Sequence, residues 1–246
     1  MAQAGPPYET DDPDPVEYRH WEVYLATQDQ GGSGAVAGTA PHVEVNYGAL
    51  PNLQLHLLVP LAYARPAGGP TTYGLGDVEL GAKFRFVQEG TWRPMIGTFV
   101  QTEWPVGSTA PGLGTRHVHV LFPLWLQKSF GPWTTDLGGG FLADFDEGYR
   151  NYWCFGWQVG RRISPLATIG AELFYTPAHR DSTPNSLRTD LGVVLDLSEH
   201  DHVLLSVGRS ISGDPIWQGY LAYQLTFGPR SQPSRLNKEL AAFDDR

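Results

Sequence analysis

His117 and His119 stand two residues apart, so on an extended strand both imidazoles share one face. With a loop over 105–114 closing a hairpin, antiparallel pairing sets Glu103 beside His117 and Gln101 beside His119. Two imidazoles and a carboxylate form a donor set for a transition metal. The same residues serve equally as polar lining of a wet cavity, and the spacing fixes no third strong ligand, so no metal and no cofactor is assigned. A serine nucleophile needs an adjacent base. The nearest approach to a His-x-Ser strand is His117-Val118-His119, and near Ser206 and Ser210 the only histidine is His202. No catalytic residue is assigned, and the chain reads as a non-enzyme. Gly74-Leu75-Gly76 and Gly112-Leu113-Gly114 lack the third glycine and the following helix of a dinucleotide loop. What remains is charge: Lys83, Arg85, Arg162 and Arg188 against Glu79, Glu103, Asp136, Glu172 and Asp190.

The elements that carry these residues read as strands. Val78, Leu80, Ala82, Phe84 and Phe86 alternate with Glu79, Gly81, Lys83 and Arg85, which specifies a strand with one apolar and one polar face. The same period begins at Trp21-Glu22-Val23 and returns at Val43–Tyr47 and at Leu53-Gln54-Leu55-His56-Leu57. Further runs cover 94–104, 116–130, 133–146, 152–163, 167–176, 187–197, 202–211 and 216–227. The total is about twelve strands, most near the roughly 9–11 residues that a tilted strand needs to cross a bilayer. The longest apolar stretch, Leu57 to Ala64, is far short of the roughly 18 residues of a membrane helix. Gly138, Gly139 and Gly140 lie inside a strand, where they permit sharp curvature or widen the interior.

Composition narrows the class. Seventeen Lys and Arg against 26 Asp and Glu give a net charge of −9, which excludes nucleic acid as a partner. A content of 29 Gly and 20 Pro speaks against a helical bundle, and the single Cys154 excludes an internal disulfide. Short turns at 89–91, 131–132 and 198–201 alternate with longer loops near 31–38, 65–72, 105–114 and 177–184, while the seventh and eleventh connections read as short. Short turns on one rim and long loops on the other are the habit of an outer-membrane barrel, with the turns and both termini facing the periplasm.

Charge sets which face is which. Leu55, Leu57, Phe122, Leu124, Trp153, Phe155, Leu191, Leu221 and Leu225 form one face. Glu79, Lys83, Arg85, Gln101, Glu103, His117, His119, Asp136, Arg162, Glu172, Arg188 and Asp190 form the other. A soluble barrel would bury this second set in a narrow interior, where each unpaired charge costs several kcal/mol or more (on the order of 3–5). Inversion removes the conflict: lipid takes the apolar face, and the charged rows line a narrow lumen, pair across it and set its selectivity. Trp21, Trp104, Trp133, Trp153, Trp217 and Phe227 fall near strand ends, as interfacial aromatic girdles do.

Three stretches carry a family resemblance: Pro6-Pro7-Tyr8-Glu9-Thr10-Asp11-Asp12-Pro13 leading into Tyr18–Glu22, Gly74-Leu75-Gly76-Asp77-Val78-Glu79-Leu80-Gly81-Ala82-Lys83, and Trp104-Pro105 through Gly114. Together they resemble the outer-membrane barrel family named for the MetA pathway of phenol degradation, transporters of small, often aromatic, hydrophobic compounds. The resemblance spans most of the chain, and it departs from the usual barrel in the 19 residues that follow Phe227.

The expectation is an all-β, antiparallel up-and-down transmembrane barrel over residues 21–227 with a polar lumen and an apolar exterior. Residues 1–20 form an extended, solvated, Pro- and Asp-rich periplasmic arm, with a gate seated in the periplasmic mouth as its alternative, and residues 228–246 a periplasmic tail in which Leu236, Leu240 and Phe243 stand at helical spacing. Ala2-Gln3-Ala4 reads as the remnant of a signal-peptide cleavage site, so the chain is a mature one placed in the Gram-negative outer membrane. Expected partners are outer-membrane lipid, the barrel-assembly machinery and a small-molecule solute, with no nucleic acid. The expected activity is a channel for small hydrophobic or aromatic solutes. Its alternatives are a non-conducting structural or ligand-binding barrel and, further off, a barrel lipid hydrolase.

Overall fold

The computed structural model describes residues 5–108, 113–115, 117–180 and 183–229. Thirteen strands follow in chain order: β1 (Trp21–Gly32), β2 (Ala35–Leu50), β3 (Leu53–Arg65), β4 (Thr72–Leu75), β5 (Val78–Val87), β6 (Met95–Trp104), β7 (His119–Phe130), β8 (Trp133–Ala143), β9 (Tyr152–Ser164), β10 (Ala167–Thr176), β11 (Ser186–Asp196), β12 (Asp201–Ser212) and β13 (Trp217–Phe227). Each pairs antiparallel with its sequence neighbour or next neighbour, and β1 pairs with β13 from Trp21↔Phe227 to Gly31↔Trp217, which closes the sheet. β4 and β5 both pair with β3, so they are one stave interrupted at Gly76-Asp77. The barrel therefore has twelve staves. The readings of Ala2–Ala4 as a cleavage remnant and of a helix around Leu236, Leu240 and Phe243 lie outside the described residues.

Alternation places the two faces as the charge argument requires. Leu55, Leu57, Phe122, Leu124, Trp153, Phe155, Leu191, Leu221 and Leu225 are exposed, whereas His42, Glu44, Gln54, His56, Glu79, Lys83, Gln101, Glu172 and Asp190 are buried. The interior is not purely polar. Phe99, Leu121, Trp125, Cys154 and Phe174 form a buried cluster on β6, β7, β9 and β10, and Tyr24, Ala26, Leu204, Tyr220 and Ala222 a second on β1, β12 and β13. These residues share strand parity with the polar interior set. Gly138 makes room for the first cluster: a Cβ there would stand 2.5 Å from the Trp125 ring.

Two connections differ from the reading above. The first is no loop: β1 and β2 pair to Gly32↔Ala35 around Ser33-Gly34, where positive φ at both residues makes a two-residue hairpin. The seventh is not short. β8 ends at Ala143, and residues 144–151 form a connection that folds back through Asp144 N–H donating to Asn151 Oδ1. The short-turn rim holds 51–52, 131–132 and 165–166 together with Trp21 and Phe227, and the opposite rim holds 105–108, 113–115, 117–118, 144–151, 177–180 and 183–185. Asp77, at the break between β4 and β5, ties the fifth connection down. Its carboxylate accepts from Gly107 N–H (2.8 Å), Thr115 N–H (2.6 Å) and the Thr115 hydroxyl (2.8 Å).

The largest departure is the arm. Residues 5–16 are not solvated but lie within the barrel, with Tyr8, Thr10, Asp11, Pro13 and Val16 buried. The chain enters at the short-turn rim, where Arg19 N–H donates to Gly48 O and Gly48 N–H to His20 O. Wall glycines admit it: a Cβ on Gly156 would meet Thr10 Oγ1 at 2.1 Å, and one on Gly192 would meet the Tyr8 hydroxyl at 2.6 Å.

Two predictions follow from this architecture. Leu191→Arg, at the middle of β11 on the outer face, is expected to cost about 2–4 kcal/mol of folding stability in lipid. The same change at solvent-exposed Leu197, beyond the end of β11, is expected to cost under about 1 kcal/mol, and denaturant titration of vesicle-folded protein measures both. In the turn before β6, the hydrogen bond from Lys128 holds the Glu89 carboxyl below its ordinary value of 4.5. A depressed carboxyl stabilises the fold above its unfolded pKa and loses that contribution as pH falls through the folded one. Glu89→Gln should therefore lower stability at pH 7 but leave it unchanged at pH 2, as paired denaturant curves would show.

Candidate functional site

The interior cations find their counter-charges on the arm. Lys83 Nζ on β5 lies 3.0 Å from Asp11 Oδ1 and 3.4 Å from Asp12 Oδ1. Arg85 pairs with Asp14 and also donates to Asn52 Oδ1, and Arg188 on β11 pairs with Glu9. The sequence reading had these cations paired with acids of the barrel wall. Those acids turn instead to other partners. Glu172 accepts the backbone N–H groups of Glu9 and Thr10, Glu79 accepts from Gln101 Nε2 (2.6 Å) and sits 3.1 Å from His56 Nε2, Asp136 accepts from Gln127, and Asp190 accepts from Gln218. A carboxylate receiving two backbone donors holds the arm as firmly as an ion pair does.

Above the arm, toward the long-connection rim, opens a vestibule of about 420 Å³. Its apolar and aromatic lining is Leu121, Trp125, Leu142, Tyr152 and Phe174 on β7 to β10, and polar groups stand beside it on the same part of the wall: His119 two residues from Leu121, Asp144 two from Leu142, and Arg188 paired with Phe174 and 5.4 Å from its ring centre. Glu9 of the arm and Arg180 complete the lining. Arg180 stacks its guanidinium 3.7 Å from the centre of the Tyr149 ring. A second cavity of about 480 Å³ lies at the short-turn side, lined by Asp12, Asp14, Glu17, Glu22, Arg85 and Gln127. The arm contributes lining to both cavities.

The twelve residues expected at the lumen do not all share it equally. Glu79, Lys83, Gln101, Asp136, Glu172, Arg188 and Asp190 are buried inside, and Arg85, Glu103 and His119 are half-buried. Arg162 is exposed near the end of β9, where it donates to Ser164 O and Pro165 O and lies 3.9 Å from Asp196. His117 is exposed in the connection ahead of β7 and not on the strand. The hairpin register accordingly moves by two: Glu103 pairs with His119, and Gln101 with Leu121. The six end-of-strand aromatics, Trp21, Trp104, Trp133, Trp153, Trp217 and Phe227, are all on the outer surface, and Trp21 stacks on Phe227 at 6.5 Å across the closure. Ser206 Oγ donates to Pro7 O (2.6 Å) and Ser210 Oγ accepts from Ile216 N–H, while His202 turns to Asp196. Sequence reasoning missed the arm's acids, Glu9, Asp11, Asp12 and Asp14, and the apolar wall. The parity of Phe99 with Gln101, and of Trp125 with His119, carried the signal for the second.

No family model and no curated protein sequence matches the chain. Solved structures do. The COG4313 outer membrane channel from Pseudomonas putida F1 superposes with a TM-score of 0.67 at 17% identity, over 87% of this chain and 99% of that one. The chain has the fold of an outer-membrane channel. A KdgM porin (TM-score 0.57, 11% identity, 83% and 99% covered) and the NanC porin (0.58, 7%, 82% and 98%) share it. The closed twelve-stave barrel, apolar outside and polar inside, thus has the architecture of a membrane-spanning barrel and shares the fold of these outer-membrane channels and porins. The label of the MetA phenol-degradation family, which the sequence resemblance carries, is not confirmed by these matches.

Lys83 is the residue whose loss should most disturb the arm. Lys83→Met leaves Asp11 buried without its cation, a state costing about 3–5 kcal/mol that withdrawal of the arm would relieve. A glutamate-specific protease should then cut at Glu9 in the folded variant while sparing the wild type, and Lys83→Met with Asp11→Asn should restore protection. Equal protection of all three proteins would show that this pair does not hold the arm.

Proposed function

We propose that the protein is an outer-membrane channel for small hydrophobic or aromatic solutes, restricted by its own N-terminal arm. The observation that carries this reading is the aromatic-lined vestibule. Its volume falls in the range of roughly 300–1,000 Å³ common to small-molecule sites, and an apolar, aromatic lining edged by a few polar groups such as Arg188 beside Phe174 suits a compact ring with one polar substituent. The charged rows of the lumen, from Glu79 and Lys83 on β5 to Arg188 and Asp190 on β11, would set selectivity, as rings of charge do in channels. The exposed girdle from Trp21 to Phe227 would hold the barrel at the two lipid interfaces, and the rim bearing Trp21, Phe227 and the short turns would face the periplasm. Outer-membrane lipid and the barrel-assembly machinery follow as partners of any such barrel. The KdgM structure with a disordered oligogalacturonate is a precedent for a solute held by this fold, though the aromatic wall here favours a less polar one.

Single-channel recording in planar bilayers tests the reading. The wild type is expected to conduct weakly, with current reduced by a small phenolic solute at millimolar concentration. Removal of residues 5–16 should raise conductance severalfold, because it vacates the middle of the lumen while leaving the twelve staves intact. If both proteins are folded, as a heat-shifted gel band shows, and both stay silent, the barrel is structural and the channel reading is lost.

A further inference from the structure

The His119 imidazole on β7 meets three carboxylates at the mouth of the vestibule: the register described above brings Glu103, and the end of β8 at Ala143 brings Asp144 and Asp146. Its Nε2 lies 3.3 Å from Asp144 Oδ1 and 3.4 Å from Asp146 Oδ2, and its Nδ1 faces Glu103 Oε2 at 3.5 Å. Nε2 is fully buried yet has no hydrogen-bond partner, so it points at two acceptors without satisfying either. The Asp144 side chain is 95% buried, its 5% exposure leaving it one face toward the vestibule.

We propose that His119, Asp144 and Asp146 form a divalent transition-metal site, of the Zn²⁺ class, on the wall of the vestibule. The ligand atoms of the three side chains all lie within 4.8 Å of one another. Metal–ligand bonds of about 2.0–2.2 Å in a tetrahedron put neighbouring ligand atoms about 3.3–3.6 Å apart, which is the separation of Nε2 from both carboxylate oxygens. One imidazole and two carboxylates leave the fourth position to water or to a solute group from the vestibule. The surroundings match what metal-bound histidines have. Glu103 stands where a carboxylate orients the non-ligating nitrogen of the ring, and His117 Nδ1, 2.7 Å from Asp146 Oδ1, fixes that carboxylate with its second oxygen toward His119. Asp146 N–H donates to Asp144 Oδ1 and sets the two acids side by side.

The sequence alone left this donor set incomplete, because both carboxylate ligands come from the connection after β8 and not from the β6–β7 hairpin. An ion here would tie the start of β7 to the 144–151 connection, so it would bridge two elements of the long-connection rim. The proposal is independent of conduction, since a silent barrel would bind metal as well.

The test uses the full, tag-free chain, refolded in detergent and stripped with EDTA. Titration with Zn²⁺ by calorimetry, and with Co²⁺ by visible absorption, should give one saturable site per chain and an intense tetrahedral Co²⁺ spectrum. His119→Gln and Asp144→Asn should each weaken binding at least tenfold. Glu103→Gln, a positioning change, should weaken it about 10–100-fold. His202→Gln, at the opposite rim, should leave it unchanged. Asp146→Asn, in the connection, replaces His119→Gln if that variant does not show the heat-shifted band of a folded barrel. Absence of saturable binding by the wild type, or binding that survives loss of His119 or Asp146, overturns the site.

Discussion

Everything inside this barrel depends on the pairing of wall cations with the arm's acids. Lys83, Arg85 and Arg188 point into a lumen whose strands offer them few free anions, because Glu79, Asp136, Glu172 and Asp190 are engaged elsewhere. A buried cation without a counter-ion is costly, and among the described residues the ion-pair contacts of Lys83, Arg85 and Arg188 are all to the arm. Glu9, Asp11, Asp12 and Asp14 supply them. The run of acids and prolines that looks like a solvated tether is therefore the complement of the lumen: its prolines keep it extended and its acids meet cations on strands far apart in sequence. The arm behaves as an inner stave, held by side chains where the outer ones are held by backbone ladders.

The number of staves makes this arrangement reasonable. Eight strands leave an interior that side chains fill, and sixteen leave an aqueous channel. Twelve fall between, so the interior is too wide for wall side chains alone and narrow enough for one extended segment to occupy. The two apolar clusters, around Trp125 on one side and Tyr220 on the other, take up further space on the wall. Glycines at 156 and 192 then lower the wall where Thr10 and Tyr8 lie against it.

The strands were legible because period-two alternation is local: each needs only its own residues to declare a face, and the ends of β10 coincide with the sequence reading of 167–176. What failed depended on partners. The stretch 31–38 is rich in Gly and reads as loop, yet β1 and β2 run through it because their ladder continues to Gly32↔Ala35 on either side of Ser33-Gly34. The β6–β7 register could not be found by centring the hairpin on a loop, since 105–118 is asymmetric and Asp77 pulls it toward the β4–β5 break. The arm was misread because a composition of acids and prolines signals solvation only when no cationic groove awaits it. Glu103 and His119 were both recognised from sequence, but their meeting with Asp144 and Asp146 depends on where β8 ends.

The arm's contacts are unequal, and that inequality decides how it could move. The Arg85–Asp14 pair sits near the short-turn rim with Asp14 half exposed, so water competes for both charges and the pair contributes little. Lys83 and Asp11 are dry, with side-chain exposures of 7% and 1%, and Thr10 and Glu9 are anchored to Glu172 deeper still. Loosening at the rim therefore frees only the entry of the arm. Clearing the lumen requires breaking the Lys83–Asp11 and Glu172 contacts, and these can be replaced only by groups that bring matching charge or hydrogen bonds. Glu9 is the point where such an exchange is nearest, since it lies on the vestibule floor against Arg188 and Gln218. A solute that seats its ring on the Trp125 wall and offers an acceptor to Arg188 would compete for the arm's own contact. On the proposed reading such a solute would loosen Glu9 through Arg188, while the Lys83–Asp11 and Glu172 contacts went on holding the rest of the arm.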